Sequence, residues 1–210
     1  LCDMIDPSVR DESNPDDRAI EFDLYHPANP NQPPYDRDYV AEYRRRQLAR
    51  VRRITQWVRE TLERLKRSGG AELERGFVTH RTLADPRYLD ATLDPNGRPA
   101  RWCYLGNPET VNSGPVGLAR FSTLRSWLSQ WSIDDSRVDG LACAARIRVP
   151  CLVIENEADD CGLLVDAAGS RDKEFHVIRG ASHYYAGQPE LMRQAAVLVQ
   201  QWLRQRGLAD

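Results

Sequence analysis

The sequence predicts an α/β protein, and three observations carry that prediction. The run "CLVI" behind Val149 and Pro150 is apolar at consecutive positions, the pattern of a strand buried on both faces of a parallel sheet. A second run, within "KEFHVIRG", follows after a connection containing the short helical stretch "GLLVDAAGS". The closing segment "PELMRQAAVLVQQWLRQRG" has amphipathic helical spacing and ends on Gly207. A strand–helix–strand–helix order makes the two strands parallel, joined by a right-handed crossover.

The part before about residue 146 has a different texture. Residues 1–37 are rich in Pro, Asp and Asn, so the expectation is an ordered loop with at most short helical turns. Its Phe22, Leu24, Tyr25 and Tyr35 are placed to wrap over a core. From Arg37 to Lys66, apolar residues Val40, Tyr43, Leu48, Val51, Ile54, Val58, Leu62 and Leu65 recur three to five apart, one stripe of a long helix. Asp36 or Asp38 caps its start and Gly69-Gly70 end it. "FVTHRTLADPRYLD" reads as short or irregular helix broken by Pro86, and "DPNGRPARWCYLGNPETVNSGPVG" as turns. Leu118 to Ser132 reads as a second helix, broadly apolar through Phe121, Leu124, Trp127, Leu128 and Trp131. The expected division is a mainly helical region 1–145 and an α/β region 146–210.

Composition narrows the function classes. A chain of 210 residues can bury a real core, and its 41% hydrophobic and 29% charged residues suit an ordinary globular protein. A net charge of −2 provides no overall attraction to nucleic acid or an anionic membrane. No apolar run approaches the roughly 18 residues that span a bilayer. The basic run "RRRQLARVRR" (44–53) is expected to be a solvated helix face paired with Glu60, Glu63 and the acidic residues of 3–23. The five cysteines are odd in number and form no CxxC pair, so a reduced, cytoplasmic setting is expected, with no metal and no organic cofactor. The chain opens on "LCDMIDPSV" rather than Met, which sets the expectation of an N-terminus internal to a longer product, or processed.

The candidate chemistry lies at the ends of the two strands. Asp159 follows "CLVIEN" and His183 follows "FHVIRG", so both sit beyond the carboxyl ends of neighbouring parallel strands, where open α/β sheets bind ligands. Strands about 4.8 Å apart let side chains on such loops meet. A carboxylate on one imidazole nitrogen fixes the tautomer and stabilises the imidazolium, so the ring acts as a base through its other nitrogen.

"RVPCLVIENEADD" with "KEFHVIRGASHYY" resembles the last two strands of the α/β-hydrolase fold, over residues 146–210. The resemblance implies that Asp159, fourth residue of "NEAD" where the family usually has Gly-x-x-Asp, is the acid, with Asp160 the alternative. It implies that His183, closing a "G-x-x-H" turn, is the base. Residues 1–145 then correspond to an unusually large helical cap. No G-x-S-x-G occurs in the sequence, and Ser113 in "VNSGPVG" lacks the strand–elbow–helix setting of the family's nucleophile. The resemblance therefore implies a serine on an upstream segment or partner subunit, a small ester-like substrate, and no nucleic acid or membrane partner; self-association stays open. Core packing and the lining of a substrate pocket are the alternatives for Phe121, Trp127 and Trp131 with nearby Trp102, and packing or substrate contact for Tyr184. His26, His80 and His176 read as structural. Cys103 and Cys161 read as small buried hydrophobes, with a cysteine nucleophile beside His183 as the lesser alternative.

Overall fold

The computed structural model describes residues 2–93, 98–99, 101–159 and 161–209. The chain divides into two compact units, one of residues 1–94 and 100–138, the other of 95–99 and 139–210. The architecture is mixed α/β with three two-stranded sheets, two antiparallel and one parallel. Among the described residues, no helix is long and apolar enough to cross a membrane.

The first unit opens with a hairpin, β1 (Val9–Asp11) and β2 (Asn14–Arg18), where only loop was expected. Only Val9 of these strands is buried, and "NPDDR" has no apolar alternation, so the pairing leaves no sequence signature. The Asp11 side chain closes the turn by accepting hydrogen bonds from the Ser13 amide and hydroxyl, both at 2.8 Å. A 3₁₀ turn at Ile20–Phe22 follows.

Helix α1 (Arg37–Ser68) is the expected long helix. Asp36 is the residue that caps it, its Oδ1 accepting from the amides of Asp38 at 2.8 Å and Tyr39 at 3.3 Å. Gly69 ends it in the left-handed region, φ +65°, where a side chain costs energy. One face of α1 supplies both main apolar clusters. Val51, Ile54, Val58 and Leu65 pack with Ile5, Leu124 and Trp127, while Tyr43 packs with Phe22, Leu24, Tyr35 and Ala84. Each large side chain so buried contributes about 1.5–3 kcal/mol of transfer free energy.

The second predicted helix is only half a helix. Ala119 takes φ +56°, which interrupts helical geometry, and β4 (Phe121–Thr123) pairs antiparallel with β3 (Gly76–Val78). Between them lie a 3₁₀ turn at Pro86–Tyr88 and α2 (Pro108–Ser113). Helix starts only at Leu124, where Thr123 and Ser126 form a reciprocal capping box over α3 (Leu124–Ser126). The chain then widens into a π turn, Trp127–Trp131, closed by the Ser132 amide on the Trp127 carbonyl at 2.9 Å.

The second unit begins with α4 (Gly140–Ala144), whose Ala144 carbonyl accepts from the Gly169 amide at 3.1 Å. That bond ties α4 to the second unit, so the division falls at 138/139 instead of 145/146. Strands β5 (Cys151–Asn156) and β6 (Lys173–Ile178) pair parallel through their whole length, Cys151 opposite Lys173 and Asn156 opposite Ile178. Between them comes α5 (Gly162–Ala167), and the unit closes with α6 (Pro189–Gln205). Gly169 allows a close approach here, since a Cβ on it would lie 2.4 Å from the Ala145 carbonyl oxygen.

The arginines of 44–53 are largely held by acidic or carbonyl partners within the first unit. Arg45 and Arg46 pair with Glu42, Arg44 with Asp85, Arg52 with Asp134, and Arg50 and Arg53 with Glu12. Of the expected partners, Glu12 belongs to the acidic stretch 3–23, whereas Glu60 and Glu63 do not take part in these pairs.

Candidate acid–base site

The in-register ends of β5 and β6 bring the two following loops to the same level, and their residues are stitched together. The Glu157 amide donates to the Ile178 carbonyl at 3.2 Å and the Ala158 amide to that of Ala181 at 3.3 Å. The Asn156 side chain donates through Nδ2 to the carbonyls of Ser182 at 3.2 Å and His183 at 3.1 Å. Glu157 reaches across as well, accepting from the Gly180 amide at 2.7 Å and from Arg179 at 3.1 Å. Those two contacts, the amide first, hold the Glu157 carboxyl below the usual carboxylate range.

The His183 turn is braced from the other side by Gln188. Its Oε1 accepts from the Ser182 amide at 2.9 Å and hydroxyl at 3.0 Å, and its Nε2 donates to the Gly180 carbonyl at 2.7 Å. The turn passes through left-handed conformations at Gly180, φ +75°, and Tyr185, φ +53°. For tyrosine that conformation is uncommon and is sustained by the surrounding bonds.

On this frame Asp159 and His183 meet. His183 Nδ1 lies 2.6 Å from Asp159 Oδ1, and because a carboxylate only accepts, Nδ1 carries the proton it donates. The Asp159 backbone is fixed by its amide on the Asn156 carbonyl at 2.8 Å. The histidine side chain is 38% exposed and the aspartate 25%, so the pair is reachable from solvent. Tyr184, expected as a packing or substrate residue, is exposed and presents its ring edge-on to the imidazole, centroids 4.5 Å apart. A carboxylate-oriented imidazole of this kind can shuttle a proton to and from a reacting oxygen. Asp160, the alternative acid, lies outside the described residues.

Phe121, Trp102, Trp127 and Trp131 belong to the first unit. Trp127 is fully buried in the first unit's core, with Nε1 donating to Thr55 Oγ1 at 3.0 Å, so it is a packing residue and lines no pocket surface. Trp131 packs against the same cluster. Phe121 is an exposed residue of β4 whose ring lies over Gly76, where a Cβ would come within 2.6 Å of it. Trp102 is half-exposed in the first unit. Cys103 is buried there, and Cys161 precedes α5 with its amide on Glu155 Oε2 at 2.7 Å. Ser113 ends α2, without a preceding strand. Among the described residues, no group of three His, Cys, Asp or Glu is arranged to hold a metal ion.

Sequence reading missed Asn156, Glu157 and Gln188 as positioning residues. Asn156 did carry a signal, a lone amide that ends an apolar strand. No protein family, no curated protein and no solved structure matches this chain.

Proposed function

We propose that this chain supplies the acid and the base of a Ser-His-Asp hydrolase that cleaves an ester or related acyl bond. The observation that carries the reading is the 2.6 Å contact between His183 Nδ1 and Asp159 Oδ1 on loops that follow adjacent parallel strands. Order along the chain, acid before histidine, agrees with the α/β-hydrolase sequence of triad members. Residues 146–210 are then the C-terminal part of such a core and 1–145 its cap.

In this mechanism a serine attacks the acyl carbon while His183 Nε2 takes its proton. Asp159 holds the imidazole in the productive tautomer and stabilises the imidazolium. The same proton passes to the leaving alcohol as the tetrahedral intermediate collapses to an acyl-serine. Water then repeats the sequence, with His183 as its base, and releases the acid. The serine comes from an upstream segment or partner subunit, since the sequence holds no nucleophile elbow. Backbone amides beside that serine would form the oxyanion hole.

The test is hydrolysis of an activated ester by the native species isolated with its partners. His183→Ala and Asp159→Asn should each lower turnover by about 10³–10⁴, with the fold kept. Unchanged turnover in both variants would sink the proposal. Absence of turnover in the native species itself would favour a hydrolase-like binding subunit without chemistry.

A further inference from the structure

A second candidate site lies wholly within the first unit. A cleft of about 420 Å³ opens between the β1–β2 hairpin, α1 and β3. Its walls include Ile54, Trp57, Phe77 and Val78, and its rim carries Arg10 and Arg53. The volume falls in the range of small-molecule sites, which combine apolar walls with a few polar anchors. Trp57 is 41% exposed and Val78 49%, so aromatic and aliphatic surface is presented to whatever enters. Trp57 and Phe77 meet edge-on, centroids 5.1 Å apart, and Phe77 also packs on Trp127 at 5.6 Å, so Trp57 is the ring presented to an aromatic partner.

The rim carries two guanidinium groups, Arg10 and Arg53, and two carboxylates, Asp11 and Glu12, which differ in how far their hydrogen-bonding groups are already engaged. Glu12 is occupied: Oε1 accepts from Arg50 at 2.8 Å and Arg53 at 3.0 Å, and Oε2 from Arg50 at 2.7 Å. Asp11 is folded back onto Ser13. The arginines keep donors in reserve. Among the described residues, Arg53 donates only through Nη2, to the Val9 carbonyl and Glu12, and Arg10 only through Nη1, to Asp17 at 3.4 Å. Thr79, also at the cleft, is buried with a hydroxyl that has no hydrogen-bond partner among the described residues. Glu12 is engaged by arginines, while Arg53 and Arg10 keep N–H groups without a partner among the described residues, so these two guanidinium groups can take a further acceptor.

We infer that this cleft binds a small aromatic carboxylate, its ring against Trp57, Phe77 and Val78 and its carboxylate on Arg53 and Arg10. A guanidinium with unused N–H groups suits a carboxylate better than a neutral acceptor, because the charge-assisted bond is about twice as strong. The cleft volume limits the body to one or two rings. This inference is independent of the acid–base site.

The test is isothermal titration calorimetry of the full chain in its native species with phenylacetate, benzyl alcohol and acetate. Phenylacetate should bind with a Kd near or below about 1 mM, and the two partial probes at least tenfold more weakly. Arg53→Gln should weaken phenylacetate about tenfold. Arg53 also holds the hairpin, so Val78→Asp, at an exposed wall position, gives a second reading: binding lost with an unchanged melting temperature. Equal affinity for benzyl alcohol and phenylacetate would overturn the carboxylate assignment. No heat and no saturable response to phenylacetate, or Val78→Asp binding as well as the parent, would overturn the site.

Discussion

Asn156 shows how the geometry of a candidate acid–base pair is set by a residue outside the pair. Its amide ties the β5 end to the carbonyls of Ser182 and His183, and so fixes where the imidazole stands relative to Asp159. Asn156→Leu keeps the volume and deletes both donors. It should cost about 1–3 kcal/mol in denaturant unfolding and lower ester turnover in the native species. Arg50 is the counterpart in the first unit. Only 1% of its side chain is exposed, and its donors reach Glu12 and the carbonyls of Asp6, His80 and Arg81. Glu12→Gln leaves that cation without its carboxylate, a change expected to cost about 3–5 kcal/mol in urea unfolding. The same pair gives a pH dependence. Burial pushes the Glu12 carboxyl up, but Arg50 and then Arg53 outweigh it and hold it below its usual value. A depressed carboxyl adds stability that is present above the unfolded value, about 4.3, and is lost as pH falls through the folded one. Urea midpoints should therefore fall on acidification below about pH 4, and less steeply in Glu12→Gln. Arg120 is the opposite case, buried without an ion-pair partner among the described residues, its pKa lowered by burial and by the charges of Arg50 and Arg81. Its Nε finds no acceptor among the described residues. Arg120→Met should leave the melting temperature unchanged or raise it.

At the scale of elements, what the sequence discloses depends on whether the signal is local. Helix α1 was legible in full because its apolar stripe, its Asp36 cap and its terminal glycine all lie within one segment. Asp36→Ala should cost about 1 kcal/mol, and Gly69→Ala a similar amount, both seen in thermal unfolding. β5, β6 and α6 were legible for the same reason. The hairpin β1–β2 was not, because its strands are polar and its partner contacts are with residues far along the chain, as in Arg50 with Glu12. The segment 118–132 misled because apolar residues at helical spacing also suit a strand followed by a turn of helix. A left-handed Ala119 and pairing with Gly76–Val78 decided the matter, and neither is written in periodicity. That Asp159 and His183 meet could be read from strand order, whereas Glu157 and Gln188, which brace the two loops, look like ordinary surface polar residues.

Over the whole molecule, the two units differ in how much they bury. Among the described residues, the three clusters of buried apolar side chains all belong to the first unit. In the second, α6 has no buried residue, and Leu163, Phe175, Met192, Val197 and Val199 are exposed. Among the described residues, β5 and β6 pair only with each other, leaving a backbone edge on each. Unpaired edges beside apolar side chains favour association with further strands. That arrangement supports the reading in which other hydrolase strands, the nucleophile among them, complete the second unit. Amide exchange of the isolated chain should accordingly be slowest in α1 and markedly faster in β5 and β6. Under the proposed function, Asp159 and His183 serve a serine on an upstream segment or partner subunit. Its most direct test is the intact mass, under denaturing conditions, of the native purified species with and without a fluorophosphonate probe. The expected result is a mass increase of one probe on a segment or polypeptide beyond the present sequence, abolished by His183→Ala. A native species consisting of this 24.0 kDa chain alone, carrying no probe, would contradict it.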